Sequence, residues 1–158
     1  MSSPLTQSVN VQPGRKLLLW LPTVIWLGVI ASFSTDLFSA SHTGSILWRI
    51  LHAIFPGISL HTFRTIHFFV RKTAHFCTYG LLGAFAFYSW RATFPEPRRW
   101  SFKWSGLALA LTLVVASLDE YHQTFIPSRT GTVHDVILDM VGAVFFQIII
   151  LVFTISRG

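Results

Sequence analysis

Ionisable side chains set inside membrane-length apolar segments constrain this chain more than any other feature. The apolar stretches run over 17–33, 66–90, 104–118 and 136–155. A hydrocarbon core of about 30 Å takes about 20 helical residues, so segments of this length point to membrane-crossing helices. Arg71, Lys72 and His75 head the second stretch, Asp119, Glu120, His122 and Gln123 end the third, and Asp135 and Asp139 open the fourth. Each such charge costs about 2.5–3.5 kcal/mol on insertion scales, so it normally pairs with another and marks a site. The expected arrangement is one polar pocket shared by three helices.

The 158 residues are 52% hydrophobic and 11% charged, whereas soluble domains average about 25% charged. An ordinary soluble domain is therefore excluded. We expect an all-α membrane protein with four transmembrane helices in a small bundle, as one domain over 15–158. Residues 1–14 are polar, with Pro4, Pro13 and Gly14, and are expected to be a disordered tail. The third segment spans only if its polar end residues also lie in the membrane. The net charge of +6 comes from bases that flank the apolar segments. It points to topology and lipid headgroups rather than to nucleic acid. The lone Cys77 permits no internal disulfide and no CxxC site, and reads as a small apolar filler within a helix. The first segment follows Arg15 and Lys16 like a signal peptide. Its apolar run is too long for one, is rich in Trp and has no A-x-A site, so an uncleaved anchor is expected.

The link over 92–103 carries Pro95, Pro97, Arg98, Arg99 and Lys103 and reads as a basic loop. Short basic loops stay cytoplasmic. With four helices, both termini then lie inside, together with Arg15, Lys16, Arg91, Arg98, Arg99, Lys103 and Arg157. In that orientation Asp36, Asp119, Glu120, Asp135, Asp139 and all seven histidines lie toward the outer side, leaving Glu96 inside.

Between the first two spans, Ile46, Leu47, Ile50, Leu51 and Ile54 share one helical face, with Trp48, Arg49 and His52 off it. About ten residues cannot cross a bilayer. The region near 44–56 therefore reads as an interfacial or re-entrant helix ended by Pro56-Gly57, either a lid on the pocket or a helix lying on the headgroups.

Within the polar constellation, Lys72, His75 and Tyr79 recur at i, i+3, i+7 with Gly83 continuing the face, and Arg71 and His75 stand at i, i+4. Tyr79 belongs to this face or to an interfacial aromatic belt. Asp119 and Gln123 stand at i, i+4, and Asp135, Asp139 and Gly142 at i, i+4, i+7. Gly80, Gly83 and Gly142 would let helices approach closely. Pro127 and Gly131 make a tight turn that holds Arg129 near two helix ends. There Arg129 either binds an anion with the free N–H groups of the last helix or is neutralised by Asp135. Thr132-x-x-Asp135 fits a capping box, which offers Asp135 a structural role. Asp139, one turn deeper, needs no such role and is the better functional candidate. The minimum arrangement pairs Arg71 or Lys72 with Asp119, Glu120 or Asp139, while the other base snorkels outward. His122 is expected to face headgroups, and His42, His52, His61 and His67 to be solvated in loops.

These two segments, Arg71-Lys72-Thr73-Ala74-His75-Phe76-Cys77-Thr78-Tyr79-Gly80 and Asp119-Glu120-Tyr121-His122-Gln123-Thr124-Phe125-Ile126-Pro127-Ser128-Arg129 followed by Asp135 and Gly142, resemble the VanZ-like family. Its pattern is Lys-x-x-His-Phe-x-x-Tyr on one helix and Asp-Glu-x-x-Gln-x-Phe-x-Pro-x-Arg before the last. The resemblance covers most of the chain, from Phe33 to Gly142. One departure is Asp139, where the pattern often has Asn; the extra acid favours a metal or proton role. The resemblance implies a small bacterial inner-membrane protein of a family named for accessory teicoplanin resistance. It also implies a functional set of Lys72, His75, Tyr79, Asp119, Glu120, Gln123, Arg129 and Asp135.

Three functions compete. In the first, the pocket binds or modifies a membrane lipid or lipid-linked envelope precursor. Arg71, Lys72 and Arg129 hold its phosphate, and Tyr79, Gln123, Asp135 and Asp139 complete the site. His75 with Asp119 or Glu120 would supply acid–base chemistry. In the second, the chain is a non-catalytic envelope factor with a proton- or ligand-gated charge cluster. A transporter is disfavoured because no inverted repeat is present. In the third, His75, Asp119, His122 and Asp139 serve a metal-dependent hydrolase. No H-E-x-x-H or similar signature supports that set, so the spacing assigns no metal ligand and no cofactor.

Overall fold

The computed structural model describes residues 18–35, 39–94, 96, 99–127, 129 and 131–156. The tail 1–14, Arg15, Lys16, Leu17, Asp36, Pro95, Pro97, Arg98, Ser128, Thr130 and Arg157 lie outside the described residues. Five helices and no strand are found among those described: α1 Leu21–Phe33, α2 Ala40–Ile54, α3 Leu60–Thr93, α4 Phe102–Gln123 and α5 Val133–Ile155. Pro22 sits in the first turn of α1, where its missing N–H costs nothing. The other four helices start at hydroxyl caps: Ser39 accepts from the His42 N–H, Ser59 from Thr62, Ser101 from Lys103 and Thr132 from Asp135.

The all-α expectation holds, with shifted boundaries. α4 and α5 are long and apolar enough to cross a membrane. α4 reaches that length because it runs on through Asp119–Gln123, the polar end residues on which its span depends. α1 has 13 residues, about 20 Å at 1.5 Å per residue, short of a full crossing. α3 has 34 residues, about 51 Å, and carries Arg64, Arg71, Lys72 and Arg91 along it. The short amphipathic element expected near 44–56 is α2, which starts earlier, at Ala40.

α3 is the hub and packs against each of the other four helices. Its approach to α5 is set by glycine, as the spacing predicts. A Cβ at Gly142 would run into the Phe76 carbonyl oxygen, and one at Gly80 into the Phe146 ring. Polar side chains share the bundle interior with an apolar core that includes Leu82, Phe87 and Trp104, and the outer surface is apolar. Thr23, Ser89, Thr112, Glu120, Gln123, Asp139 and Gln147 are buried, while Ile137, Val141, Val144, Phe145, Ile148, Val152 and Phe153 face outward along α5. An apolar face this continuous on a soluble protein would aggregate; against lipid tails it is solvated. Several of the buried hydroxyls and amide nitrogens find partners. Thr23 and Ser89 share a hydrogen bond of 2.9 Å, and Gln147 Nε2 donates to the Gly83 carbonyl at 2.9 Å. Cys77 is helical but exposed, so it fills no interior gap.

α2 folds back on the extended start of α3. Trp48 meets Phe63 edge-on with centroids 5.0 Å apart, and Thr43 Oγ1 lies 3.3 Å from His67 Nε2. The stripe is only partly covered. Leu47 lines a cavity, whereas Ile46, Ile50 and Ile54 stay open.

Candidate functional site

The face of α3 read from spacing meets one acid per turn. Lys72 Nζ pairs with Asp135 Oδ1 at the start of α5. One turn on, His75 Nδ1 lies 3.2 Å from Asp139 Oδ1. A further turn on, the Tyr79 hydroxyl donates to Asp119 Oδ2 at 2.7 Å, and Gln123 Nε2 donates to the same oxygen at 3.1 Å. Tyr79 is 2% exposed and its ring stacks beside His75, so it is a pocket residue and not an interfacial aromatic.

This ladder corrects one expectation. Lys72 pairs with Asp135 rather than with Asp119, Glu120 or Asp139. Helix phase explains it: Lys72 lies a turn before His75, level with the first turn of α5, while Asp139 lies one turn deeper. Arg71 is rotated about 100° from Lys72 around the helix and forms no ion pair within 4.0 Å with a described acid.

The capping box is half-formed. Thr132 Oγ1 accepts from the Asp135 N–H at 3.2 Å, but the Thr132 N–H donates to Glu120 Oε2 at 2.8 Å. Glu120 thus reaches from α4 to satisfy the N–H that a box carboxylate would take. The Asp135 carboxylate is left for Lys72, and the start of α5 favours its negative charge.

Arg129 reaches across to the end of α1. Its Nη2 donates to the carbonyls of Phe33, at 2.6 Å, and Thr35, at 2.8 Å, so it caps the C-terminal end of α1. His122 is exposed and its Nδ1 lies 3.1 Å from Ser34 Oγ. His42, His52, His61 and His67 are helical rather than in loops.

Two cavities flank the ladder. The first, about 300 Å³, has apolar walls from Ile30, Phe33, Leu47, Val70 and Ala74, and polar lining that includes Arg71, His75, Tyr79, Asp119, Gln123 and Arg129. The second, about 310 Å³, is strongly basic, with Arg64, His67, Arg71, Lys72 and His75 facing Thr132 and Asp135. His67, Arg71 and His75 border both. The sequence reading leaves Arg64 without a role and sets His67 in a solvated loop. Arg64, His67, Arg71 and His75 recur at i, i+3, i+7, i+11, one continuous helical face, and that spacing was available to find them.

Two buried carboxylate oxygens lack a hydrogen-bond partner among the described residues, Glu120 Oε1 and Asp139 Oδ2. His75, Glu120 and Asp139 each bring one donor atom to within 4.8 Å of the others, the only such trio found among the described residues. His75 and Asp139 of the four-residue hydrolase set therefore converge, Glu120 joins them, and His122 stands apart.

The sequence profile of the VanZ/LLP1 family matches residues 14–154. No curated protein and no solved structure matches the chain.

Proposed function

The chain belongs to the VanZ/LLP1 family, and from that premise we propose that it is a four-span inner-membrane protein that binds an anionic lipid or lipid-linked envelope precursor from the outer leaflet. One observation carries the reading. Arg71, without an acid at ion-pair distance among the described residues, lies where an apolar cavity adjoins a basic one. A phosphorylated lipid has that same division, with alkyl chains suited to the first cavity and a phosphate suited to the second. Arg71 matches phosphate with two parallel N–H donors, Arg64 and Lys72 add positive charge, and His67 adds a ring nitrogen beside it. Tyr79, Gln123, Asp119 and Asp135 fix the shape and polarity of the walls, and Asp139 holds His75 from behind them. His75 with Glu120 or Asp119 would supply any proton transfer. A contribution to teicoplanin resistance would follow if the bound precursor were one on which the drug acts.

A mixed-micelle competition between phosphatidylglycerol and phosphatidylcholine, read by native mass spectrometry, tests the reading. Wild-type protein is expected to retain phosphatidylglycerol. Arg71→Ala should weaken that retention about tenfold or more, because a hydrogen bond to a charged group contributes about 1.5–3 kcal/mol. Equal retention of both lipids by wild type, or undiminished preference in a folded Arg71→Ala protein, rejects it.

In this reading both ends of the chain are cytoplasmic and the ladder faces outward. Fluorescent protein fused after Gly158 should glow, and alkaline phosphatase fused there should be inactive. The reverse pair of results would place the site on the other leaflet and remove the outer-leaflet substrate.

A further inference from the structure

We propose that His75, Glu120 and Asp139 bind one divalent first-row transition cation, with zinc the closest fit. The three residues come from α3, α4 and α5, and a donor atom from each lies within 4.8 Å of the others. Donors on a shared tetrahedral zinc stand about 3.4 Å apart, given bonds of about 2.1 Å. Closing the trio onto an ion therefore asks for side-chain shifts on the order of 1 Å.

The second observation is the pair of orphaned oxygens. Glu120 is 4% exposed and Asp139 fully buried, and each keeps one oxygen without a partner among the described residues. Neither has a Lys or Arg nitrogen within 4.0 Å among those residues. Buried carboxylate oxygens left without a hydrogen-bond partner are costly in a low-dielectric interior. A single cation between them satisfies both at once.

The surroundings hold the ligands in place. Glu120 Oε2 is fixed by the Thr132 N–H at 2.8 Å, and the His75 ring is stacked against Tyr79. Such outer contacts orient metal ligands and raise their affinity. The donor set selects the ion. Calcium takes six to eight oxygens and magnesium keeps an octahedral shell, whereas one imidazole and two carboxylates suit zinc, manganese or iron. Because His75 borders both cavities, an open coordination position there would meet an anion held by Arg71. The cation would act as a Lewis acid toward a phosphate oxygen. The inference stands on these three residues and does not depend on the lipid reading.

The test uses tag-free full-length protein in detergent, stripped with chelator and dialysed against zinc, with metal measured by mass spectrometry. About one zinc per chain is expected, with affinity falling at least tenfold in Asp139→Asn and Glu120→Gln. The exposed His134→Ala should bind as wild type does. A wild-type protein that retains no zinc, or variants that bind it unchanged, overturns the site. Should the variants fail to fold, manganese-loaded wild type still decides: electron–nuclear coupling to one imidazole nitrogen is expected, and its absence overturns the site. Zinc binding without phosphatidylglycerol retention would reject the lipid reading and leave the cation site standing.

Discussion

Gly142→Leu is expected to destabilise the helical bundle by about 3 kcal/mol or more, enough to abolish a cooperative melting transition in detergent. Added carbon at this position meets the Phe76 carbonyl and its backbone neighbours. The neighbour is main chain, so it cannot rotate away, and α3 and α5 must separate. That separation would break the Lys72–Asp135 and His75–Asp139 contacts two turns and one turn before Gly142 on α5. Gly142→Ala should cost about 1–3 kcal/mol by the same route. Gly28 and Gly106 are the internal comparison, since nothing lies within 4 Å of a Cβ there. Alanine at either should raise stability by about 0.5–1 kcal/mol, the usual gain for Gly to Ala within a helix. A Gly142→Leu protein that melts as wild type does would show that the helices are not in contact at this point.

Lys72→Glu is expected to cost about 2–4 kcal/mol, somewhat below the 3–5 kcal/mol of a fully buried broken pair. The discount follows from the 32% exposure of the lysine side chain against 14% for its partner. The new carboxylate would stand against Asp135 with Asp139 and Glu120 nearby, leaving several acids to His75 alone. The exchanged pair Lys72→Glu/Asp135→Lys should recover a large part of the loss. Recovery would be incomplete, because a lysine in the first turn of α5 opposes the helix dipole by about 0.3–1 kcal/mol. A double-mutant cycle on unfolding in detergent measures this. Strictly additive effects would mean that the two side chains do not interact.

The helical class and the ladder face were legible in the chain itself. Lys72, His75 and Tyr79 fall on one face because the helix repeat places i, i+3 and i+7 together, whatever surrounds them. The hydroxyl at Thr132 marks a helix start for the same local reason, as do Ser59 before α3 and Ser101 before α4. Small residues at 80 and 142 announced close approach, because only a missing Cβ permits it. The boundaries were less legible. Apolar runs end where polarity begins, while α3 and α4 continue through polar residues that the bundle shelters.

What the sequence determined by itself is therefore periodic and local: which residues share a helix face, where helices start, and that an apolar exterior must surround a charged interior. Which acid meets which base was decided only by the tertiary structure, since it depends on how far α3 slides along α5. One turn of that register sends Lys72 to Asp135 and His75 to Asp139. Arg129 donates to the carbonyls of Phe33 and Thr35 at the end of α1, a contact between residues 94 and 96 positions apart. Glu120 is the clearest case. Its neighbour Asp119 faces Tyr79 on α3, while Glu120, about 100° further round the helix, reaches the start of α5 and meets His75 and Asp139. No spacing along a single helix encodes that meeting, because its three members come from three helices and close only when the bundle does.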